Sequence, residues 1–311
     1  MNNLNKFQTL FILLAILLGL LLGQFSAVEQ NADVFIVPAL VLMLYGLFLS
    51  IPLQSIRASW QSKTFLATSI GINFLWSPLL AFGLGALFLS DHPALWIGFI
   101  LLMVTPCTDW YLIFTAMAKG NVTLATSVLP MNLLLQIILL PIYILVFAGS
   151  FQLISFETLL SSIVIVFALP FLAAGVTRFF LSEKKVEGWI RVWMVAQVYF
   201  LMIAIVAMFA SQGSLLVQSM EVIGLLFIPI VLFFIVNFFV GKWTNRLCRF
   251  NYADSVSLQM TIIARNSPVA LAFAVAVFPD TPLVALALVI GPLIELPILA
   301  LLARVLLRSR V

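Results

Sequence analysis

The sequence predicts an all-α integral membrane protein: ten transmembrane helices built as two inverted-topology repeats of five, with broken fourth and ninth helices. Three observations carry this expectation. Hydrophobic residues make up 64% of the 311 residues and charged residues only 8%, and apolar runs recur at about 20 residues, the length that spans a bilayer. The Lys and Arg residues fall in alternate connections between those runs. Two runs are interrupted near their middles by proline-containing polar stretches, at corresponding places in the two halves. No Pro/Ser-rich linker, charged block or low-complexity tract divides the chain, so residues 1–311 read as one membrane domain, with repeats of about 1–150 and 151–311.

Charged and turn-rich punctuation places the spans at about 7–26, 33–53, 64–89, 94–119, 121–149, 155–180, 188–211, 218–240, 252–278 and 281–304. The first could be mistaken for a signal peptide, since Lys6 precedes an apolar stretch and Ser26-Ala27 resembles a cleavage site. The run from Phe7 to Phe25 is long for such a segment, and its loss would break the repeat, so it is read as a helix. The second to fifth spans are separated by Arg57 and Lys63, by Asp91-His92 and by Lys119-Gly120, and the sixth to tenth by Lys184-Lys185, Glu221, Lys242 to Arg249 and Asp280. Trp60 and Trp96, near span ends, read as interfacial anchors. His92 reads as a loop residue. Gly19 and Gly23 form a GxxxG pair, a pattern too common to imply a dimer by itself.

Connections carrying Lys6; Arg57 and Lys63; Lys119; Arg178, Lys184, Lys185 and Arg191; Lys242, Arg246 and Arg249; and Arg304, Arg308 and Arg310 alternate with connections lacking basic residues. The second set carries Glu29, Asp33, Asp91, Glu157, Glu221 and Asp280. By the positive-inside rule both termini lie in the cytoplasm of a multi-pass plasma-membrane protein. The same distribution argues against nucleic-acid binding despite a pI of 9.3. The two cysteines, Cys107 and Cys248, show no disulfide framework.

Arg265 is left over. It is the one basic residue that cannot be placed at the cytoplasmic end of a span, and a guanidinium at bilayer depth costs about 2.5–3.5 kcal/mol on insertion scales. The acids left inside spans are Asp109 and Glu295. Arg265 belongs to the ninth-span break, Ala264-Arg265-Asn266-Ser267-Pro268, and Asp109 to the fourth-span break, Thr105-Pro106-Cys107-Thr108-Asp109. Proline supplies no N–H and pushes its predecessor out of helical geometry, while Thr108, Asp109 and Ser267 are good N-caps for restarted helices. Two half-helix N-termini are thus expected near mid-membrane, the usual pointer to a secondary transporter's substrate site.

Each candidate residue has two readings. Arg265 clamps Asp109 or Glu295, or it holds an anionic substrate. Cys107 is a small apolar filler, or an accessible thiol with thiolate character that suits a soft metalloid. Glu295, in Gly291-Pro292-Leu293-Ile294-Glu295-Leu296-Pro297, is the partner of Arg265 or a proton carrier. Asp109 is an N-cap or a coupling acid. Asn73, Asn132, Gln136, Asn266 and Ser267 line a cavity or bond between helices.

At Pro106-Cys107-Thr108, at the ninth-span break and at the run from Gly291 to Pro297, the chain resembles the bile acid:sodium symporter superfamily, and within it the arsenite permease branch. The resemblance covers nearly the whole length. It implies a panel of spans 1, 2, 6 and 7 beside a core holding the crossed fourth and ninth spans. It also implies an essential cysteine in the fourth span and a glutamate near the end, here Cys107 and Glu295. Sodium-coupled members carry a glutamate and a glutamine where this chain has Thr261 and Arg265, so a proton is expected rather than sodium. The expected function is a secondary active transporter, an arsenite or antimonite efflux permease, without a cofactor or resident metal. Cys107, Thr108, Asp109, Arg265, Asn266, Ser267, Glu295 and Asn132 are the expected substrate-binding or coupling residues. Import of a small organic anion, with Arg265 holding its carboxylate, is the second reading. No paired intramembrane aspartates, His-rich cluster or Ser/His dyad supports a membrane-embedded enzyme.

Overall fold

Helices account for every long element of the computed structural model, which describes residues 8–51, 62–108, 110–147, 157, 161, 164–181, 183–218, 221 and 224–308. For residues 8, 9, 110, 183, 184 and 214–218 only the backbone is described. The elements are α1 (Gln8–Leu22), α2 (Ile36–Leu49, entered through the 3-10 turn Ala32–Phe35), α3 (Lys63–Phe88), α4 (Pro93–Met103), α5 (Trp110–Met117), α6 (Val122–Phe147), α7 (Val164–Phe180), α8 (Glu183–Gln218), α9 (Phe227–Cys248), α10 (Tyr252–Ile263), α11 (Ser267–Val277) and α12 (Pro282–Arg308). Among the described residues six helices are long and apolar enough to cross a membrane, and four shorter apolar helices of 10–17 residues accompany them. The expected fourth and ninth spans are each split, into α4 and α5 and into α10 and α11.

Several boundaries move for physical reasons. The eighth span was expected at 218–240, yet α9 runs on past Lys242 and Arg246 to Cys248. Lys and Arg are good helix formers, so a change from apolar to basic side chains does not end a helix. It ends where Arg249 turns left-handed, at φ 54°, with Phe250 N–H on the Asn245 carbonyl at 3.2 Å. The seventh span likewise lengthens from 188–211 to Glu183–Gln218. Pro130 and Pro141 lie inside α6, and Pro292 and Pro297 inside α12, without ending either helix.

Two π-turns, Ile72–Trp76 in α3 and Val164–Ala168 in α7, each precede a proline, Pro78 and Pro170. Proline donates no N–H and crowds the carbonyl four residues earlier, and a wider turn relieves that crowding. For Pro78 the orphaned carbonyl is Phe74, and the Tyr143 hydroxyl donates to it at 2.7 Å.

The chain divides into two compact units. The first comprises residues 1–51, 153–223 and 271–289 and so contains α1, α2, α7 and α8, the spans that the resemblance assigns to a panel, together with most of α11 and the start of α12, which it does not. Gly19 and Gly23 serve packing inside this unit rather than a dimer: a Cβ on Gly19 would lie 2.7 Å from the Val206 carbonyl, and one on Gly23 2.6 Å from that of Ala210. Tyr45 ties α2 to α7 and α8, bonding Thr177 Oγ1 at 2.8 Å and accepting from Trp189 Nε1 at 3.0 Å. Arg178 donates to the Leu49 and Ile51 carbonyls, closing the C-terminal end of α2.

The second unit, residues 52–152, 224–270 and 290–311, holds α3 to α6, α9, α10, the start of α11 and most of α12. Trp96 is not an interfacial anchor: it is buried on α4, packed against Phe82 and into the notch left by Gly85. The Asn251 side chain caps α10 by accepting from Asp254 N–H at 2.9 Å. Tyr252 then donates to the carbonyls of Ala118 and Leu306, joining three elements at that end. Trp60, Lys6, Arg57, Arg310, Asp109 and the Lys184 side chain lie outside the described residues.

Candidate functional site

Every described site residue belongs to the second unit. The fourth-span break begins where α4 stops at Met103. A helix leaves its last carbonyls without intrahelical partners. Thr105 Oγ1 donates at 3.0 Å to those of Leu101 and Leu102, and Pro106 prevents the helix from continuing. The ninth-span break follows Ile263, with Ala264 extended at φ −69°, ψ 139°.

The two breaks pair with each other. Cys107 N–H donates to the Ala264 carbonyl at 3.0 Å and Asn266 N–H donates to the Thr105 carbonyl at 2.8 Å, an antiparallel bridge centred on Pro106 and Arg265. The Asn266 side chain adds a bond to Thr108 Oγ1 at 3.1 Å. Much of the main chain freed by the breaks is therefore satisfied across the crossing. The cap of α11 is Asn266 rather than Ser267: Asn266 Oδ1 accepts from Val269 N–H at 3.4 Å, and Ser267-Pro268 form the first turn. Ser267 is buried, at 6% exposure.

Arg265 is 1% exposed, and among the described residues its guanidinium donates to oxygens of no acid. Nε donates to the Ile263 carbonyl at 3.1 Å, Nη1 to Met103 at 2.8 Å, and Nη2 to the Ile262 carbonyl and to Asn73 Oδ1. The Phe233 ring covers it, with the centroid 5.0 Å from Cζ. The guanidinium thus caps two helices at once, α4 through Met103 and α10 through Ile262 and Ile263. Both helix ends carry the negative pole of a helix dipole, which explains how the charge is held in an apolar interior. Asn73 bonds between helices, donating to the Thr261 carbonyl at 3.4 Å while accepting from Arg265.

Glu295 meets Arg265 through the main chain: Arg265 N–H donates to Glu295 Oε1 at 2.8 Å. The carboxyl is 3% exposed. One turn earlier α12 passes against α4 at Gly291, where a Cβ would lie 2.6 Å from Leu102 Cδ2. That close approach brings Glu295 to the crossing. Cys107 is buried at 1% exposure rather than accessible, and Thr108 is equally enclosed. Asn132 is fully buried on α6. Neither cysteine forms a disulfide.

A guanidinium has five N–H donors, and four hydrogen bonds to protein oxygens use most of them. Little of that donor capacity is left for the substrate carboxylate of the second reading. Sequence reasoning missed the Met103, Ile262 and Ile263 carbonyls and the Phe233 ring. Main-chain acceptors have no signature in side-chain identity, and one phenylalanine among 28 carries none either.

The family model described as Sodium Bile acid symporter family matches residues 37–219. An arsenical-resistance protein Acr3 of Corynebacterium glutamicum is 26% identical, covering 95% of this chain and 86% of that protein. The Acr3 of Alkaliphilus metalliredigens is 22% identical, covering 98% and 92%. A transporter of Synechocystis, slr0944, is 25% identical, covering 98% and 88%.

Proposed function

Because this chain belongs to the sodium bile acid symporter family, whose members are transporters in the bilayer, we propose that it is a secondary active transporter exporting arsenite or antimonite in exchange for protons. The observation that carries the reading is the occupation of Arg265. With the guanidinium committed to carbonyls, the described crossing also holds the Cys107 thiol and the Glu295 carboxyl, a soft ligand and a proton carrier. The two relatives named for arsenical resistance support the same substrate.

The chemistry is reversible ligand exchange. The thiol displaces one hydroxyl of arsenous acid, forming an S–As bond while the hydroxyl leaves as water with the thiol proton. Reversal releases the metalloid on the other side. A single thiol keeps the exchange fast, since several thiols would hold arsenic too tightly for transport. Glu295 carries the counter-moving proton, and Thr108, Asn266 and Ser267 shape the crossing around Cys107. Asp109 follows Thr108 in the same break and is the second candidate proton carrier. In this reading the ten spans form two inverted repeats of five, both termini face the cytoplasm, and the second unit moves as the carrier.

Resistance in an arsenite-sensitive host and arsenite uptake into everted vesicles test the proposal. Cys107→Ser abolishes both while protein levels stay unchanged. Undiminished resistance in that variant overturns the thiol step. Accumulation of radiolabelled organic acids, with no movement of arsenite, overturns the substrate.

A further inference from the structure

Asn132 and Gln136 stand one turn apart on α6, and both are fully buried. None of their four side-chain polar atoms has a hydrogen-bond partner among the described residues. Other buried amides of this unit each make at least one hydrogen bond, Asn73 with Thr261, Asn237 with Phe233, Gln259 with Phe238 and Asn266 with Thr108, although Asn237 Oδ1 and Gln259 Oε1 have no partner among the described residues. Buried amides without partners are destabilising, so two of them on one helix face call for an explanation outside folding.

Their position supplies one. At 3.6 residues per turn, Ala125, Asn132, Gln136 and Tyr143 fall within roughly 40° of one another on α6. At one end of this stripe the Tyr111 hydroxyl of α5 donates to the Ala125 carbonyl at 2.7 Å. At the other, Tyr143 donates to Phe74, next to the Asn73 that holds Arg265. The helix also packs on α4 and α10, whose C-terminal carbonyls hold the guanidinium. The amide pair therefore faces the elements that build the crossing.

Two carboxamides offer donors and acceptors without net charge. A hydroxyl group is also both donor and acceptor and satisfies such a pair. An anion meets two amide oxygens it cannot bond, and a bare cation meets two NH₂ groups it cannot use. We propose that Asn132 and Gln136 form the hydroxyl-recognising half of the substrate site, selecting neutral polyhydroxylated solutes of the arsenous acid class. The inference rests on the arsenite reading above and adds its selectivity: once Cys107 has replaced one hydroxyl, two remain, and two amides hold them.

The test uses the full-length protein, wild type and Asn132→Leu/Gln136→Met, with millimolar boric acid as a neutral trihydroxide that has no affinity for thiols. Boric acid raises the unfolding temperature of the wild type and of Cys107→Ser but not of the amide variant. The amide variant alone unfolds no earlier than wild type, and its KM for arsenite in everted vesicles rises roughly tenfold or more. Protection that survives loss of both amides overturns the inference, as does a variant that is simply less stable and proportionally less active. If wild type moves no arsenite, the export reading fails while boric acid protection still judges the amide pair: loss in the variant upholds it, and absence in wild type overturns it.

Discussion

Replacing Arg265 with methionine removes four hydrogen bonds and a buried positive charge while keeping most of the side-chain volume. The carbonyls of Met103, Ile262 and Ile263 then face a thioether, and Glu295 loses its nearby cation. Removing one member of a buried charge arrangement costs about 3–5 kcal/mol, and unsatisfied carbonyls at two helix ends place this site at the upper end. We expect a loss of about 4 kcal/mol in SDS-titration unfolding followed by tryptophan fluorescence. The Arg265 N–H to Glu295 bond is main-chain and survives the substitution, so a double-mutant cycle with Glu295→Gln isolates the charge term. At the effective dielectric that suits buried groups, that term is about 2 kcal/mol. The double variant should recover roughly half the loss. Arg265→Lys, a compact ammonium with three donors, cannot reach both helix ends and falls between. An Arg265→Met protein within about 1 kcal/mol of wild type refutes the capping argument, and equal stability of single and double variants refutes the charge offset.

Four further outcomes follow from the same geometry. Efflux is equal in sodium and choline media for the wild type, and Arg265→Gln, which leaves carbonyl oxygens suited to a hard cation, makes it sodium-dependent; sodium dependence in the wild type contradicts the reasoning. Glu295→Gln abolishes efflux driven by an imposed proton gradient but leaves arsenite exchange at equilibrium, measured by isotope counterflow. Gly291→Val drives a side chain into Leu102 and costs about 1–3 kcal/mol in the same unfolding assay. Lys119 and Arg249 hold left-handed backbone at φ 56° and 54°, so Lys119→Gly or Arg249→Gly stabilises the protein by about 1 kcal/mol, and a loss of stability contradicts that.

The breaks were legible because proline and a lone charge in an apolar run are costly unless structure demands them. Pro106 and Arg265 announced themselves, and the crossing contains both. The partners of Arg265 were not legible. Three of the four are main-chain carbonyls at the ends of two helices, one of them far away in sequence, and only the crossing brings them together. The π-turns were equally hidden, because an extra residue in a turn does not alter hydropathy; Pro78 and Pro170 were the traces, visible only once the role of the Phe74 carbonyl is known. Gly19 and Gly23 signalled close packing, but a GxxxG pair does not say against what. The extra length of α8 and α9 escaped because Lys and Arg mark the edge of the apolar layer while remaining good helix formers.

The bridge between the breaks is made by main-chain atoms alone. A joint of that kind is indifferent to the side chain mounted at residue 107, which can exchange chemistry without the bridge being rebuilt. Half-helices α4, α5, α10 and α11 share this node, and a displacement imposed on one is handed to the other three. The scaffold can change its cargo by single substitutions while the mechanical element that carries the cargo stays the same.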